Sequence, residues 1–239
     1  MNHFSSLKSL LENNFQCYFF ESIDSTNSYL ASTKYSTKPQ ICITREQTKG
    51  KGQHGRNWVS QKDGSIIFSM RKSFNEGMNL NGLSLIAGMA IIKSIEAECQ
   101  LSGLKIKWPN DIYYGDKKLA GILMENTHYK SNQLVLVGVG INYQLVDTNE
   151  IDEPWVDLSR ILNKLPNFQQ LTAKIINNIL FFLEDFQING LSNLLSEWHH
   201  YDMLKGVRIK FRESNIELQG QIDGISHQGA LKVLTKDGV

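Results

Sequence analysis

The sequence predicts an α+β protein built on a mixed, mainly antiparallel sheet, with a small β-barrel at its C-terminus. Four short apolar segments follow one another between residues 104 and 142 with no helix between them, an order that favours antiparallel pairing. Residues 80–99 are apolar on most of their circumference, which is typical of a buried central helix. After residue 205 the chain changes to short strands separated by turn residues, which indicates the barrel.

In the first half of the chain, helices and strands are predicted to alternate. Apolar, β-branched runs bounded by turn residues predict the strands. Asp24 or Ser25 can cap the second helix, because either side chain can accept from the first turn. The predicted elements are a helix at 5–13, a strand at 15–21, a helix ending at Ser32, strands at 41–45 and 65–70, and the helix at 80–99.

The second half is predicted to complete the sheet, to add two helices and to end in the barrel. The last long helix is expected to break near residues 189–190, where asparagine precedes glycine. We therefore divide the chain into a catalytic domain at 1–203 and a barrel at 204–239. The predicted elements are strands at 104–108, 112–114, 118–126 and 133–142, helices at 157–163 and 171–198, and strands at 207–213, 216–226 and 230–236.

Composition limits the class of protein. The 239 residues are 41% apolar and 21% charged, as in a globular protein. Lys and Arg total 25 against 24 Asp and Glu, a balance that argues against a general DNA or anionic-membrane partner. Three cysteines without CxxC spacing indicate neither a disulfide framework nor a zinc site. No apolar run approaches the ~20 residues of a spanning helix, so we expect a cytoplasmic protein.

A glycine-rich loop, GKGQHGRNW, covers residues 50–58. Its three glycines allow backbone N–H groups to approach a phosphate, while Lys51 and Arg56 add charge and Trp58 adds a flat apolar surface. The spacing matches neither Walker A nor the Rossmann fingerprint. A surface turn with solvated charges explains the composition equally well.

A second segment, KWPNDIYYGDKKLAG, covers residues 107–121. Pro109 forces a bend, which makes Asp111 a candidate Mg²⁺ ligand, although Asn110 and Asp111 acting as turn caps is the simpler interpretation. Lys117 and Lys118 adjoin in a strand, so only one of them can enter a buried pocket. Gly121 leaves room for a ligand to approach the backbone.

Four segments together resemble the signature motifs of biotin–protein ligases. They are DSTNSYL at 24–30, the glycine loop, KWPNDIYYGDKKLAGIL from residue 107, and VGVGIN at 137–142. The similarity runs in order from about residue 22 to the C-terminus. It implies a catalytic domain like that of class II aminoacyl-tRNA synthetases and an SH3-like barrel.

The resemblance implies a two-step reaction. Biotin and MgATP form biotinyl-5′-AMP, and the biotinyl group then passes to a lysine of the biotin carboxyl carrier domain of acetyl-CoA carboxylase or a related carboxylase. Lys118, Arg56 and Asp111 are implied as catalytic residues, with Asp111 also a candidate Mg²⁺ ligand.

The resemblance also assigns binding residues. Trp155, which follows the acidic stretch at 147–153, corresponds to a tryptophan that stacks on adenine. The positions implied for biotin are Ser25, Thr26, Asn27, Gln47, Lys51, Gly52, Gln53, Lys118, Gly121 and Gly138. The positions implied for ATP and the adenylate are Gly50, Arg56, Trp58, Asn110, Asn142 and Trp155.

The chain departs from the family pattern in three places. Gln53 stands where many members have arginine, so we expect looser retention of the adenylate. Roughly 24 residues precede the biotin motif, too few for a DNA-binding domain, so we expect a ligase without repressor function. The barrel stops at Val239, earlier than the family pattern implies, so we expect either that its remaining strands lie outside this sequence or that the barrel is reduced.

The sequence is also compatible with two other functions and with one oligomeric state. A lipoate-type ligase and a non-catalytic biotin- or adenylate-binding homologue use related chemistry. A homodimer joined through a sheet edge is compatible with the family, and residues 133–137 are the candidate edge.

Overall fold

The computed structural model describes residues 4–11, 15–146, 149–213 and 216–235. The helices are α1 (Ser5–Leu10), α2 (Thr26–Ser32), α3 (Leu83–Cys99), α4 (Leu158–Ile161), α5 (Phe168–Asn189) and α6 (Ser192–Tyr201). The strands are β1 (Gln16–Phe20), β2 (Gln40–Thr44), β3 (Ser65–Asn75), β4 (Leu104–Lys107), β5 (Asp111–Tyr114), β6 (Lys117–Tyr129), β7 (Asn132–Asn142), β8 (Arg208–Glu213), β9 (Ile216–Ile225) and β10 (Leu231–Leu234).

Seven strands form one sheet in the order β1-β2-β3-β7-β6-β5-β4. The β1–β2 pair is parallel and the other pairs are antiparallel, which confirms the mixed, mainly antiparallel sheet. The candidate dimer edge was wrong: residues 133–137 belong to β7, which lies between β3 and β6. Hydrogen bonds on both sides of β7 leave it no free edge.

The two faces of the sheet differ because side chains alternate along each strand. On one face, Ile66, Phe68 and Val137 join the main core beneath α3 and α5. Gly88 of α3 lets this helix approach the sheet, because a Cβ there would lie 3.2 Å from Ile106 Cδ1. The opposite face carries small and polar residues, and α2 covers part of it. This second face forms the floor of the candidate site.

The break predicted in the last long helix is confirmed. Gly190 has φ +59°, a conformation that favours glycine, and it separates α5 from α6. The helix predicted at 5–13 ends at Leu10, and residues 12–14 lie outside the described residues. Within the part of the chain that the structure describes, no helix is long and apolar enough to cross a membrane.

After α6 the chain forms a three-stranded antiparallel sheet in the order β10-β9-β8. The turn between β9 and β10 contacts the segment that follows β4, because the Trp108 indole N–H donates to the Gly229 carbonyl at 2.9 Å. A small antiparallel sheet is thus confirmed, whereas the SH3-like barrel and the domain boundary at residue 203 stay predictions. Residues 214–215 and 236–239 of the predicted barrel lie outside the described residues.

Candidate active site

Helix α2 brings polar side chains to the middle of the sheet's second face. Ser25 is its N-cap and accepts from the Ser28 N–H, so the prediction of Asp24 or Ser25 resolves to Ser25. Leu30, on the underside of the helix, packs with Cys42 and Leu136 of the sheet. This packing holds the first turn of α2, with Thr26 and Asn27, over the strands.

The first turn of α2 belongs to a continuous hydrogen-bond network. Gln47 Oε1 accepts from the Thr26 backbone N–H at 2.7 Å and from the Thr26 hydroxyl at 2.9 Å. The Thr26 and Ser69 hydroxyls lie 2.6 Å apart, and Ser69 donates to Asn27 Oδ1. Asn27 Nδ2 donates to Glu125 Oε2 at 2.6 Å. Ser69 is fully buried, so this network is formed within the protein before any ligand arrives.

The other end of α2 is held by a buried arginine. Arg71 donates to the carbonyls of Leu30 at 2.6 Å, Thr33 at 3.2 Å and Lys34 at 2.6 Å, and to Gln40 Oε1 through two nitrogens. Burial lowers the pKa of the Arg71 guanidinium. The cation stabilises the negative end of this short helix. Both ends of α2 are therefore fixed, which orients its first turn.

The glycine loop folds back on itself. The Gly52 N–H donates to the Arg56 carbonyl at 2.7 Å, and the Trp58 N–H donates to Gly50 at 3.0 Å. A Cβ at Gly50 would lie 2.4 Å from the Trp58 carbonyl, so close backbone packing requires this glycine. Positive φ occurs at His54 and Gly55. Lys51, Gly52 and Gln53 line the pocket that α2 borders.

The indole of Trp58 covers the strands beneath the loop. A Cβ at Gly140 would lie 2.3 Å from Trp58 Cε2, and one at Gly121 would lie 2.9 Å from Trp58 Cζ3. The space at Gly121, which the sequence assigns to a ligand, is therefore occupied by Trp58. A Cβ at Gly138 would lie 2.5 Å from Asn27 Oδ1, so this glycine makes room for the Asn27 amide. Trp58 Nε1 is buried and has no hydrogen-bond partner among the described residues.

Lys118 is the lysine that enters the site, as the alternation of the strand predicts. It is 9% exposed, whereas Lys117 is exposed. Lys118 Nζ lies 3.0 Å from Asp111 Oδ2 and 2.9 Å from Glu153 Oε1. Its backbone N–H donates to the Pro154 carbonyl at 2.9 Å, and its carbonyl accepts from Val156 at 3.0 Å. The segment that carries Glu153 is thereby attached to the strand that carries Lys118.

The charge balance around Lys118 is one ammonium against two carboxylates. Burial raises the pKa of the Asp111 carboxyl, Lys118 opposes the rise, and Glu153 adds to it. Arg56 lowers the Asp111 pKa more weakly, so its guanidinium field reaches the same point. Burial, followed by Glu153, raises the pKa of Tyr113 to about 12. Asp111 therefore lies in a low-dielectric site, where electrostatic interactions between charged groups are stronger than in water.

The two asparagines assigned to the nucleotide bond to the backbone of neighbouring strands and loops. Asn110 Nδ2 donates to the Ile122 carbonyl at 2.8 Å, and the Asn110 carbonyl accepts from Ile122 at 3.0 Å. The bend predicted at Pro109 connects β4 to β5, and Asn110 fixes it to β6. Asn142 Nδ2 donates to the Val156 carbonyl at 3.1 Å and to the Lys118 carbonyl at 3.4 Å.

Two adjoining compartments meet at Lys118. The first is bordered by the α2 turn, Gln47 and Gly138. The second is bordered by Asn142 and Trp155, and Arg160 stacks over the Trp155 ring with 4.2 Å between Cζ and the ring centroid. The acidic stretch before Trp155 is described from residue 149, and residues 147–148 lie outside the described residues. Residues common to both compartments are Arg56, Asn57, Trp58, Lys118 and Glu153.

Sequence reasoning missed three residues of this site. Ser69 and Glu125 connect to Asn27 across 42 and 98 residues of chain, so no local motif contains them. Alternation along β3 places Ser69 opposite the core face, which is the one signal that the sequence carries for it. Glu153 lies within the acidic stretch before Trp155, but only the fold brings its carboxylate to Lys118.

Comparison with protein families gives a match over residues 19–142 to the Biotin/lipoate A/B protein ligase family. The bifunctional ligase/repressor BirA of Salmonella typhimurium is 33% identical over 222 residues, which span 91% of this chain and 68% of BirA. The biotin–[acetyl-CoA-carboxylase] ligase of Mycobacterium tuberculosis is 26% identical over 77% of this chain and 66% of that protein.

Comparison with solved structures also gives similarity to biotin protein ligases. The biotin protein ligase of Aquifex aeolicus in complex with biotin and ATP superposes with a TM-score of 0.80. The two chains are 27% identical, and the superposition covers 93% of each.

Proposed function

The chain belongs to the biotin/lipoate A/B protein ligase family. We propose that it acts as an ATP-dependent biotin–protein ligase in the following two steps. In the first step, a carboxylate oxygen of biotin attacks the α-phosphorus of ATP. Pyrophosphate leaves and biotinyl-5′-AMP forms. In the second step, the amine of a carrier lysine attacks the acyl carbon, and AMP leaves. Both steps take place where the two compartments meet.

The position of Lys118 is the single observation that carries this proposal. The reaction brings a carboxylate towards a phosphate, and these two anions repel each other. Lys118 lies between the two compartments and is 9% exposed, so its charge is little screened by water. Its role is to hold the carboxylate and the α-phosphate together and to stabilise the charge that develops between them.

Arg56 and Asp111 support Lys118 in this proposal. Arg56 lies on the glycine loop, and we assign it to the phosphates. It adds a second positive charge near Asp111, whose carboxyl pKa it lowers. Asp111 orients Lys118 through their 3.0 Å ion pair. Because both side chains of this ion pair are largely buried, the Lys118 ammonium stays directed at the point where the two compartments meet.

The carboxylates also fit a magnesium ion that arrives with ATP. Among the described residues, no group of three or more His, Cys, Asp and Glu can hold a metal alone. Mg²⁺ bound to a nucleotide needs one or two protein carboxylates, because phosphates and water supply its other ligands. Asp111, with Glu153 close to it, meets this requirement. The ion would neutralise phosphate charge.

The two compartments divide the substrates between them. We assign the biotin ring to the pocket beside α2, where Ser25, Thr26, Asn27 and Gln47 gather, and the valeryl carboxylate to Lys118. We assign adenine to the compartment of Asn142 and Trp155, where a flat base can stack on the indole. The remaining assigned contacts are Gly50, Lys51, Gly52, Gln53, Trp58 and Asn110, whereas Gly121 and Gly138 make room for Trp58 and Asn27.

The acceptor is proposed to be the biotin carboxyl carrier domain of a carboxylase. The mixed anhydride is reactive, so the second step needs only a neutral lysine amine in the correct position. Asp111 is the candidate acceptor of the proton that this amine loses, because its carboxyl pKa is raised. Residues 204–239 are proposed as a separate small barrel, and the protein as cytoplasmic.

Calorimetry followed by mass spectrometry tests the proposed function. The protein is titrated with biotin, then with biotin and MgATP, and the bound ligand is identified. Recovery of biotinyl-5′-AMP supports the ligase. Tight biotin binding without adenylate indicates a non-catalytic homologue. Binding of lipoate in preference to biotin indicates a lipoate-type ligase and overturns the substrate assignment.

A further inference from the structure

Two side-chain amides in the biotin-ring pocket have a fixed direction. Gln47 Oε1 accepts from the Thr26 backbone N–H at 2.7 Å, and a backbone N–H can only donate. Asn27 Nδ2 donates at 2.6 Å to Glu125, whose carboxylate can only accept. The Asn27 carbonyl oxygen must then point away from Glu125, towards Ser69.

The direction of these amides determines where the hydroxyl protons lie. Ser69 has one proton, and it is used on Asn27 Oδ1. The Ser69 oxygen, 2.6 Å from the Thr26 oxygen, therefore turns only lone pairs towards Thr26. Thr26 also has one proton, and two acceptors of the protein share it, Ser69 Oγ and Gln47 Oε1. The Thr26 oxygen consequently presents only its lone pairs to a ligand.

We propose that Glu125 is a positioning residue that sets the hydrogen-bond polarity of the biotin-ring pocket. It acts through Asn27 and Ser69, and it keeps the Ser69 proton off the Thr26 oxygen, whose lone pairs are then free to accept from a ring N–H group. This inference rests on the proposed function, since the cyclic urea of biotin carries such N–H donors. Glu125 lies on β6, beside the pocket, and it contacts Asn27 with its side chain.

A neutral side chain at position 125 no longer fixes the direction of the Asn27 amide. Glutamine can accept or donate, so the Asn27 amide is free to rotate and to donate to Ser69. Ser69 then donates to the Thr26 oxygen and occupies one of its two lone pairs, so the ring N–H can use only the other. The loss of one well-directed neutral hydrogen bond corresponds to about a fivefold weakening of binding.

The variant Glu125→Gln tests the proposal, with Glu76→Gln as a control that removes one exposed carboxylate after β3. We expect KM for biotin to rise about fivefold in Glu125→Gln, with kcat and KM for ATP within about twofold of the parent. Discrimination between biotin and biotin methylated on one ring nitrogen should fall by a similar factor, because the methylated ring lacks one N–H donor. Glu76→Gln should change none of these values.

A double-mutant cycle with Ser69→Ala tests the route of action. If Glu125 acts through Ser69, Glu125→Gln has little further effect in the Ser69→Ala background. Additive effects overturn the relay. An unchanged KM for biotin, or a parallel change in all kinetic constants with a lower melting temperature, overturns the role of Glu125. Failure of the parent protein to form biotinyl-AMP would instead overturn the proposed function.

Discussion

The end of the site that we propose for the biotin ring (the ring end) and the end that we propose for the reaction (the reacting end) are held together by different interactions. At the ring end, hydroxyl and amide groups bond to one another around Thr26 and Ser69, within regular helix and strand. At the reacting end, Lys118 is held by two carboxylates, one of which belongs to an irregular segment and is 38% exposed. A buried hydrogen-bond network in which the groups are paired holds one arrangement, whereas the partly exposed Glu153–Lys118 ion pair is weaker and more readily exchanged.

This difference indicates that the ring end selects the substrate, whereas the reacting end adapts to it. The ring end is formed in advance and can select the substrate without rearrangement. In the proposed reaction, the reacting end exchanges the Glu153 carboxylate for the substrate anions, while Asp111 stays paired with Lys118. Substitutions at the two ends should therefore change different kinetic constants.

The largest effect is expected from Lys118→Ala, which removes the cation at the junction. Loss of one pre-organised charge at the reacting atoms typically lowers kcat by about 10²–10³-fold, so adenylate formation should fall by that factor while the protein stays folded. Pyrophosphate release and circular dichroism measure the two effects. Lys117→Ala is the matched control, because Lys117 adjoins Lys118 and is exposed. Unchanged activity in Lys118→Ala would contradict the assigned role.

Gly140→Ala should affect the reacting end. Its new methyl group would lie 2.3 Å from Trp58 Cε2, so the indole must leave its position over the strands. Because displacement of a group by about 1 Å can cost up to 10²-fold in rate, we expect kcat for adenylation to fall at least about tenfold. Steady-state kinetics with biotin and ATP varied separately measure this change.

Gly138→Ala should affect the ring end instead. Its methyl group would lie 2.5 Å from Asn27 Oδ1 and would push the amide out of the network. We expect KM for biotin to rise about fivefold to tenfold with a smaller change in kcat. Since both glycines lie on β7, two residues apart, each variant is the control for the other. The same change in the same constant for both variants would show that the two ends are not independent.

A smaller effect of opposite sign is expected from Glu153→Gln. In the proposed arrangement this carboxylate competes with the biotin carboxylate for Lys118, and its partial exposure limits the strength of the ion pair. Removing its charge should tighten biotin binding about threefold in calorimetry without ATP. Asp152→Asn removes the same charge one residue away and should leave biotin affinity unchanged. Weaker binding by Glu153→Gln would mean that Glu153 supports the site rather than competing in it.

The smallest effect is expected from Gln53→Arg. An added cation on the glycine loop should slow release of biotinyl-AMP about twofold to threefold, and less at high salt, because a partly exposed charge is screened. A chase experiment on the preformed adenylate measures the release rate at two salt concentrations. A rate that is the same in both proteins would show that Gln53 does not limit retention.

Much of the fold was predictable from the sequence because its determinants are local. Alternation and β-branched residues located the strands from Leu104 to Asn142, and Gly190 marked the break between α5 and α6. Alternation also predicted that only one of two adjacent lysines enters the site. Strand order was not predictable, because apolar runs do not record which strands pair, and β7 therefore proved to be central rather than an edge.

The motifs of the sequence indicate the chemistry, whereas folding brings together the groups that interact. The resemblance of the motifs proposes Lys118 and Asp111 as catalytic residues, because these residues lie in one short segment. Ser69, Glu125 and Glu153 lie in different segments, and only folding brings them to Thr26, Asn27 and Lys118. The physical reason is that the polarity of a hydroxyl and the strength of a charge depend on neighbours in space.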